Sequence, residues 1–83
     1  MFYVYALKSS KNGDLYIGFT DDLKIRFRLH NSGRVRSTKP NLPWELVYYE
    51  AYKTRKDATR REKQLKMHAV KNELVKRLRE SLK

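Results

Sequence analysis

FYVYALKSSKNGDLYIGF, residues 2–19, places two segments rich in aromatic and β-branched side chains on either side of a turn. Phe2 to Lys8 has apolar side chains at both even and odd positions, which is typical of a strand covered on both faces. Asn12-Gly13 is a favoured tight-turn pair, and Leu15 to Phe19 resumes the strand pattern. The stretch therefore predicts a β-hairpin.

The hairpin, a helix, a loop and a third strand follow one another. The hairpin would bring Tyr3 or Tyr5 across from Tyr16. Thr20 is a good N-cap for a helix over residues 21–31. The loop and the third strand are predicted, in that order, at residues 34–43 and Trp44 to Tyr52. This third strand can join the hairpin in one sheet with helices on its faces.

The remaining residues predict two helices rather than one. Thr54 caps the first of them. Leu65 and Ala69 share one direction on a helical wheel, whereas the apolar residues from Val70 onward point roughly 140° away from it. Such a shift predicts a break near Met67 to Val70. The elements then follow the order ββαβαα.

Two polar residues interrupt the apolar face of the first predicted helix. On a wheel at about 100° per residue, one broad apolar arc is formed by Leu23, Ile25, Phe27 and Leu29. Arg26 and His30, four residues apart, project from the middle of this arc. A guanidinium is rarely fully buried without a partner, because taking a charge out of water is costly. We therefore expect an anionic group near Arg26.

The second predicted helix repeats this anomaly with a carboxylate. Glu62 lies on the apolar arc that contains Ala58 and Leu65. One interpretation is structural, with an Arg26–Glu62 pair across the helices, capped by His30, and with tyrosine hydroxyls of the hairpin satisfied by the same network. The other interpretation is a site that cleaves phosphodiesters.

The residue types suit that chemistry. A carboxylate such as Glu62 can hold one Mg²⁺ or Mn²⁺, whose other ligands are water and phosphate oxygens. An arginine makes bidentate contacts to a phosphate and stabilises the charge that develops on it. A tyrosine or histidine can activate water, but the ordinary tyrosine pKa of ~10 must first be lowered by a neighbouring cation such as Arg26 or the metal.

The whole chain is strongly basic, with a net charge of +11 over 83 residues. Because the two halves carry +5 (residues 1–43) and +6 (residues 44–83), the charge belongs to the folded body and favours a polyanionic partner. Candidate phosphate contacts in the predicted loop are Arg34, Arg36 and Lys39. A membrane surface is disfavoured as the partner, because no helix pairs a bulky aromatic face with a continuous basic one.

The chain has no cysteine, no signal-peptide pattern and no long apolar run. We therefore expect a cytoplasmic protein. Its length allows one modest core, which predicts a single domain over residues 1–83.

Two tripeptides carry a family resemblance. Tyr3-Val4-Tyr5 and Tyr16-Ile17-Gly18 stand in order at the two motifs of the GIY-YIG nuclease superfamily. Residues 2–66 resemble in particular its small single-domain members, which are similar to the N-terminal nuclease domain of the excinuclease repair proteins. The family's helix-one arginine, accompanying histidine and metal-binding glutamate are matched by Arg26, His30 and Glu62.

The resemblance implies an α+β sandwich with a central three-stranded antiparallel sheet and flanking helices. It also implies hydrolysis of DNA with one divalent metal, Mg²⁺ or Mn²⁺. Tyr5 and Tyr16 would be the motif tyrosines, one of which activates or positions the water. Arg26 would stabilise the phosphoryl transition state, His30 would assist proton transfer or orient a tyrosine, and Glu62 would ligate the metal. Close approach of the backbone near the site is the role implied for Gly18.

Two functions remain open from the sequence. The leading hypothesis is a DNA endonuclease that acts in repair, recombination or processing of branched, damaged or nonspecific duplex DNA. The alternative is a nucleic-acid-binding module that keeps this fold with little or no catalysis. Because no recognition element is visible beyond the catalytic domain, a partner protein could supply specificity.

Overall fold

The computed structural model describes residues 1–83 and shows an antiparallel three-stranded sheet with helices on both faces. The strands β1 to β3 are Phe2–Ser9, Leu15–Thr20 and Trp44–Tyr52. The helices α1 to α3 are Leu23–Asn31, Arg55–Leu65 and His68–Arg77. The predicted order ββαβαα and the antiparallel sheet are confirmed. A short 3₁₀ helix, Lys39–Asn41, lies within the predicted loop.

The first strand lies at the centre of the sheet, which has the order β2-β1-β3. Its residues 4–7 are at most 1% exposed, so the prediction that both faces are covered is confirmed. On one face, a core that includes Val4 and Ala6 packs against α2 and α3. On the other face, Tyr5 and Leu7 pack with Trp44 beneath α1. This second face carries the candidate site.

The hairpin register differs from the expected one. Tyr16 pairs with Leu7, so the expectation that Tyr3 or Tyr5 lies across from it is wrong. Pairing with Tyr5 would require the turn to be centred one residue earlier than the observed connection over residues 10–14 allows. Tyr5 and Tyr16 are instead diagonal neighbours on one face, with ring centroids 6.4 Å apart.

The first helix begins two residues later than predicted. Its N-cap is Asp22, whose Oδ1 accepts from the amide of Ile25 at 3.1 Å, while the Thr20 hydroxyl accepts from the Asp22 amide at 3.0 Å. The prediction that Ile25 belongs to the buried apolar arc is wrong, because its side chain is 55% exposed. The helix turns only the side with Phe27 and His30 toward the sheet, so Ile25 on the flank meets solvent.

The predicted break in the C-terminal stretch is confirmed, because α2 ends at Leu65 and α3 begins at His68. Thr54 caps α2 as expected, and its hydroxyl accepts from the amide of Asp57 at 3.2 Å. Ala69 is exposed and does not share the buried face of Leu65, because it belongs to α3, whose axis differs from that of α2. None of the helices has the length and apolarity that a membrane crossing requires.

A polar network on the α2 face was not predicted. Arg61 donates from Nε and Nη2 to the two carboxylate oxygens of Glu50 at 2.9 and 3.2 Å, and Tyr48 and Tyr52 donate to the same carboxylate. Burial raises the pKa of Glu50, but these hydrogen bonds outweigh burial and hold the pKa below its ordinary value. The network fixes α2 against β3 on the face of the sheet opposite Tyr5.

Candidate active site

Tyr5 lies at the centre of the sheet face that α1 covers. It is 1% exposed and pairs with Gly18 across the hairpin. An ideal Cβ on Gly18 would lie 2.4 Å from both Cζ and the hydroxyl oxygen of Tyr5, well inside contact distance. The missing side chain of Gly18 therefore allows the tyrosine ring to lie across the neighbouring strand.

His30 joins Tyr5 to the loop after α1. Its Nε2 lies 2.7 Å from the Tyr5 hydroxyl, and its Nδ1 lies 2.8 Å from Oγ1 of Thr38. The Thr38 hydroxyl donates in turn to the carbonyl of Val35 at 3.3 Å. Because that hydroxyl proton is used, Thr38 accepts from Nδ1–H, and the Nε2 lone pair is left to accept from Tyr5. The network thus assigns one tautomer of a neutral imidazole.

The environment of His30 keeps the imidazole neutral. The side chain is 0% exposed. Burial, reinforced by the positive charge of Arg26, lowers the pKa of His30 to about 4. At neutral pH the ring is therefore a hydrogen-bond acceptor at Nε2, with capacity to take up a proton there.

This pKa predicts how stability depends on pH. The unfolded chain binds a proton at its ordinary pKa of about 6.5, before the folded chain does, so stability from His30 is complete above that pH and falls as the pH drops toward about 4. The two pKa values correspond to a loss of roughly 3 kcal/mol. Urea unfolding at pH 7.5 and pH 4.5 should show most of this loss in the wild type and in His68→Gln, which alters an exposed histidine. Equal pH dependence in His30→Gln and the wild type would contradict the assignment.

Thr38 is a residue of the site that the sequence did not indicate, since it stands in a loop without periodicity. It is 0% exposed, and its carbonyl accepts from the indole Nε1 of Trp44 at 2.8 Å. The side-chain amide of Asn31 brackets Trp44, accepting from its backbone amide at 2.7 Å and donating to its carbonyl at 2.8 Å. These contacts hold Thr38, and through it the orientation of His30.

Replacing Thr38 with valine should disturb the imidazole while preserving side-chain volume. The buried Nδ1–H would lose its acceptor, which we expect to cost about 1–3 kcal/mol of stability. Thr38→Ser keeps the hydroxyl and should retain the wild-type melting temperature more closely. Thermal unfolding of both variants measures the difference, and equal stability of Thr38→Val and Thr38→Ser would refute this role.

Tyr16 completes the aromatic part of the site. Its ring centroid lies 5.0 Å from that of His30 and 6.2 Å from that of Trp44, both in edge-to-face arrangements. No hydrogen bond within the chain holds its hydroxyl, which belongs to a half-buried side chain. That hydroxyl is therefore available to a water molecule or a substrate.

Arg26 and Glu62 both act electrostatically on Tyr5. Burial raises the pKa of Tyr5 to about 12; hydrogen bonding and positive charge from Arg26 oppose this, and the charge of Glu62 adds to it. Arg26 by itself therefore does not lower the tyrosine pKa below its ordinary value. Arg26 forms no ion pair with any carboxylate of the chain, so the predicted structural Arg26–Glu62 pair is absent.

Glu62, on α2, is a single carboxylate rather than part of a preformed cage of acidic side chains. Its side chain is 22% exposed, and Oε2 lies 3.2 Å from the ammonium of Lys66 one turn later. No cluster of three or more His, Cys, Asp or Glu side chains could hold a metal. One carboxylate fits a Mg²⁺ ion that keeps water ligands and gains phosphate oxygens from a substrate. Such an ion would compete with Lys66 for the carboxylate.

The predicted phosphate contacts lie on the loop that follows α1. Arg34, Arg36 and Lys39 are all exposed, and the buried Thr38 anchors their loop beside His30. Exposure leaves these cations free to meet a polyanion, and their role stays a prediction.

Known proteins share this architecture. The family model of the GIY-YIG catalytic domain matches residues 1–78. A UPF0213 protein of Bacillus pumilus is 40% identical over 65 residues, which are 77% of this chain and 65% of that protein. A UPF0213 protein of Staphylococcus aureus is 37% identical over 73 residues, 87% of this chain and 88% of that protein. The solution NMR structure of a UPF0213 protein from Bacillus halodurans, 34% identical, matches with a TM-score of 0.56 over 92% of this chain and 84% of that one. The chain therefore belongs to the GIY-YIG family of nuclease domains, among its small members.

Proposed function

We propose that the protein is a metal-dependent DNA endonuclease built as one domain over residues 1–83. The reaction centre would comprise Tyr5, Tyr16, Arg26, His30 and Glu62. The observation that carries the proposal is the 2.7 Å hydrogen bond from the Tyr5 hydroxyl to a neutral His30, beside an arginine that no carboxylate of the chain pairs with.

The scissile phosphate is the anion that Arg26 lacks. A guanidinium contacts two phosphate oxygens at once and stabilises the additional charge of the transition state. Binding of the phosphate also offsets the positive charge that helps to depress the pKa of His30. Substrate binding therefore raises the affinity of His30 for a proton when the reaction requires it.

The proton of the attacking water would pass through Tyr5 to His30. As the water oxygen bonds to phosphorus and the P–O bond to the leaving nucleotide breaks, the Tyr5 oxygen takes the water proton while its own proton moves to Nε2 of His30. The leaving oxygen takes a proton from solvent. Because Tyr5 never has to be ionised in the resting site, its pKa of about 12 is compatible with this role. The half-buried Tyr16 hydroxyl would position the water.

A divalent ion would be held by Glu62, and Mg²⁺ or Mn²⁺ are the ions that suit a lone carboxylate. When bound, the ion supplies charge stabilisation to the phosphate oxygens. Because the protein supplies only one ligand, we expect the ion to bind when DNA is present and not to the protein alone.

The basic surface would hold the DNA through its phosphates. The loop that follows the helix of Arg26 carries three exposed cations, Arg34, Arg36 and Lys39. These cations would contact the DNA backbone beyond the scissile phosphate. Contacts of this kind carry no sequence information and weaken with salt. We therefore propose branched, damaged or nonspecific duplex DNA as substrate, a role in repair, recombination or processing, and a partner protein as the source of specificity.

Cleavage of supercoiled, nicked and branched DNA with Mg²⁺ or Mn²⁺ tests the proposal. Arg26→Ala should reduce the rate by about 100-fold, because it removes transition-state stabilisation. Arg28→Ala is the matched control, since Arg28 is an exposed arginine on the same helix and should leave the rate unchanged. Equal cleavage by both variants would indicate a contaminating nuclease.

A binding module without catalysis is the second candidate. It is favoured by the pKa of His30, about 4, which makes the imidazole a weak acceptor for the water proton at neutral pH. Strong, salt-sensitive DNA binding with no cleavage under either metal would select this candidate.

A further inference from the structure

An open cleft lies beside the candidate active site and takes no part in the proposed reaction. Its volume is about 580 Å³, within the range of small-ligand sites. The cleft lies between the beginning of α1 and the sheet, and the residues that matter most are Tyr3, Asp21, Leu23, Phe27 and Tyr49.

The cleft opens on the sheet face that also carries Tyr5 and His30. Tyr3 precedes Tyr5 by two residues on the same strand, so their side chains share a face about 7 Å apart. On the helix side, Phe27 follows Arg26, and both Leu23 and Phe27 pack against the cluster that contains Tyr5. The cleft and the reaction centre therefore lie on different flanks of α1 over one face of the sheet, where one strand of DNA can meet both.

The chemistry of the cleft suits a flat heterocycle rather than a phosphate. The rings of Tyr3 and Tyr49 meet edge to face with centroids 6.1 Å apart, and Tyr49 is 54% exposed, which leaves an accessible aromatic surface. Asp21 and Asp22 place two carboxylates at the rim against one cation, Lys24, in a chain whose net charge is +11. Carboxylates repel phosphate but accept hydrogen bonds from the amino groups of bases.

Asp21 is the carboxylate available for such a contact. Asp22 is occupied as the N-cap of α1, where it accepts from the amide of Ile25. Asp21 is exposed and forms no ion pair within the chain. The cleft thus offers one stacking surface and one hydrogen-bond acceptor, the pair of groups used to bind an extruded base.

We infer that this cleft binds one unpaired nucleobase of the DNA, stacked on Tyr49, while a phosphate of the same strand lies at Arg26. The inference rests on the proposed function and refines its substrate to DNA with an unpaired nucleotide at the cleavage site, as in a bulge, a flap or a single strand. A fully paired duplex would have to extrude a base first, at the expense of stacking and pairing.

Fluorescence anisotropy in metal-free buffer with EDTA tests the inference without hydrolysis. The two probes are labelled duplexes with a single-nucleotide bulge, one carrying a base and the other an abasic residue, so that the number of phosphates is equal. The wild type should bind the base-containing bulge about tenfold more tightly. Tyr49→Phe keeps the ring and should keep this preference, whereas Tyr49→Ala should bind both probes equally.

Ile25→Ala removes an equally exposed apolar side chain outside the cleft and should retain the preference. Equal binding of the two probes by the wild type, no measurable binding, or an unchanged preference in Tyr49→Ala would overturn the inference. A preserved base preference with no cleavage in Mg²⁺ or Mn²⁺ would support the cleft while refuting the nuclease function. Cleavage without any base preference would overturn the cleft alone.

Discussion

Tyr5→Phe is expected to lower the rate of DNA cleavage by about 100- to 10 000-fold, the range attributed to a positioned acid–base group. The substitution removes the hydroxyl that donates to Nε2 of His30, so the proton relay loses its first member. The phenylalanine ring still fits over Gly18, because it is buried by the same packing and lacks only the hydroxyl. The folded structure should therefore persist.

A matched substitution separates this effect from a loss of stability. Tyr48→Phe removes another hydrogen-bonded tyrosine hydroxyl, which is partly buried on the opposite face of the sheet and donates to Glu50. We expect Tyr48→Phe to cleave at the wild-type rate. Tyr5→Phe should lose about 1–3 kcal/mol of stability because Nε2 of the buried His30 loses its donor, and Tyr48→Phe about 1 kcal/mol because Glu50 keeps its bonds from Arg61 and Tyr52. Single-turnover cleavage with enzyme in excess, together with thermal unfolding, measures both quantities. A wild-type rate for Tyr5→Phe would exclude Tyr5 from proton transfer.

Gly18→Ala is expected to abolish cleavage and to destabilise the protein. The new Cβ would lie 2.4 Å from Cζ and the hydroxyl oxygen of Tyr5. The end of a tyrosine ring can usually move aside, but this ring is 1% exposed and is hydrogen-bonded to His30, so it has no free space to enter. Overpacking of this kind costs about 1–3 kcal/mol or more, and any displacement of the ring breaks the relay.

Gly13→Ala provides the comparison for Gly18→Ala. Gly13 has a positive φ of 78°, so alanine is strained there by about 1–2 kcal/mol, but no atom lies within 4 Å of its Cβ position. The two variants should therefore be destabilised to a similar extent, and only Gly18→Ala should lose the cleavage rate of its folded fraction. Urea unfolding and cleavage at a temperature where both are folded measure this difference. Full activity in Gly18→Ala would refute the packing argument.

Regular local signals made much of the fold predictable. Strand β3 has the predicted bounds, Trp44–Tyr52, because turn residues and a loop precede it and a capped helix follows. The cap at Thr54 and the break between α2 and α3 were predictable because each depends on a few neighbouring residues. The hairpin register was not, since it depends on where a five-residue connection places its turn, and Asn12-Gly13 does not fix this.

Site residues were predictable where they interrupted a helical pattern of apolar residues, and not elsewhere. Arg26 and His30 were noticeable because they are polar residues on an apolar helix face. Thr38 was not, because a loop has no periodicity against which a buried hydroxyl could be noticed. The Glu50–Arg61 pair was also missed, because the two side chains meet only when α2 packs against β3.

The most direct test of the central claim is conversion of supercoiled plasmid to nicked circles in Mg²⁺ or Mn²⁺ by the Glu62→Gln variant. Glu73→Gln is the matched control, because each glutamate is paired with a cation four residues on along its helix, Lys66 for Glu62 and Arg77 for Glu73. We predict that the wild type and Glu73→Gln nick the plasmid only when the metal is present, and that Glu62→Gln does not nick it. Nicking in EDTA, or nicking by Glu62→Gln at the wild-type rate, would contradict a reaction centre in which Glu62 holds the metal.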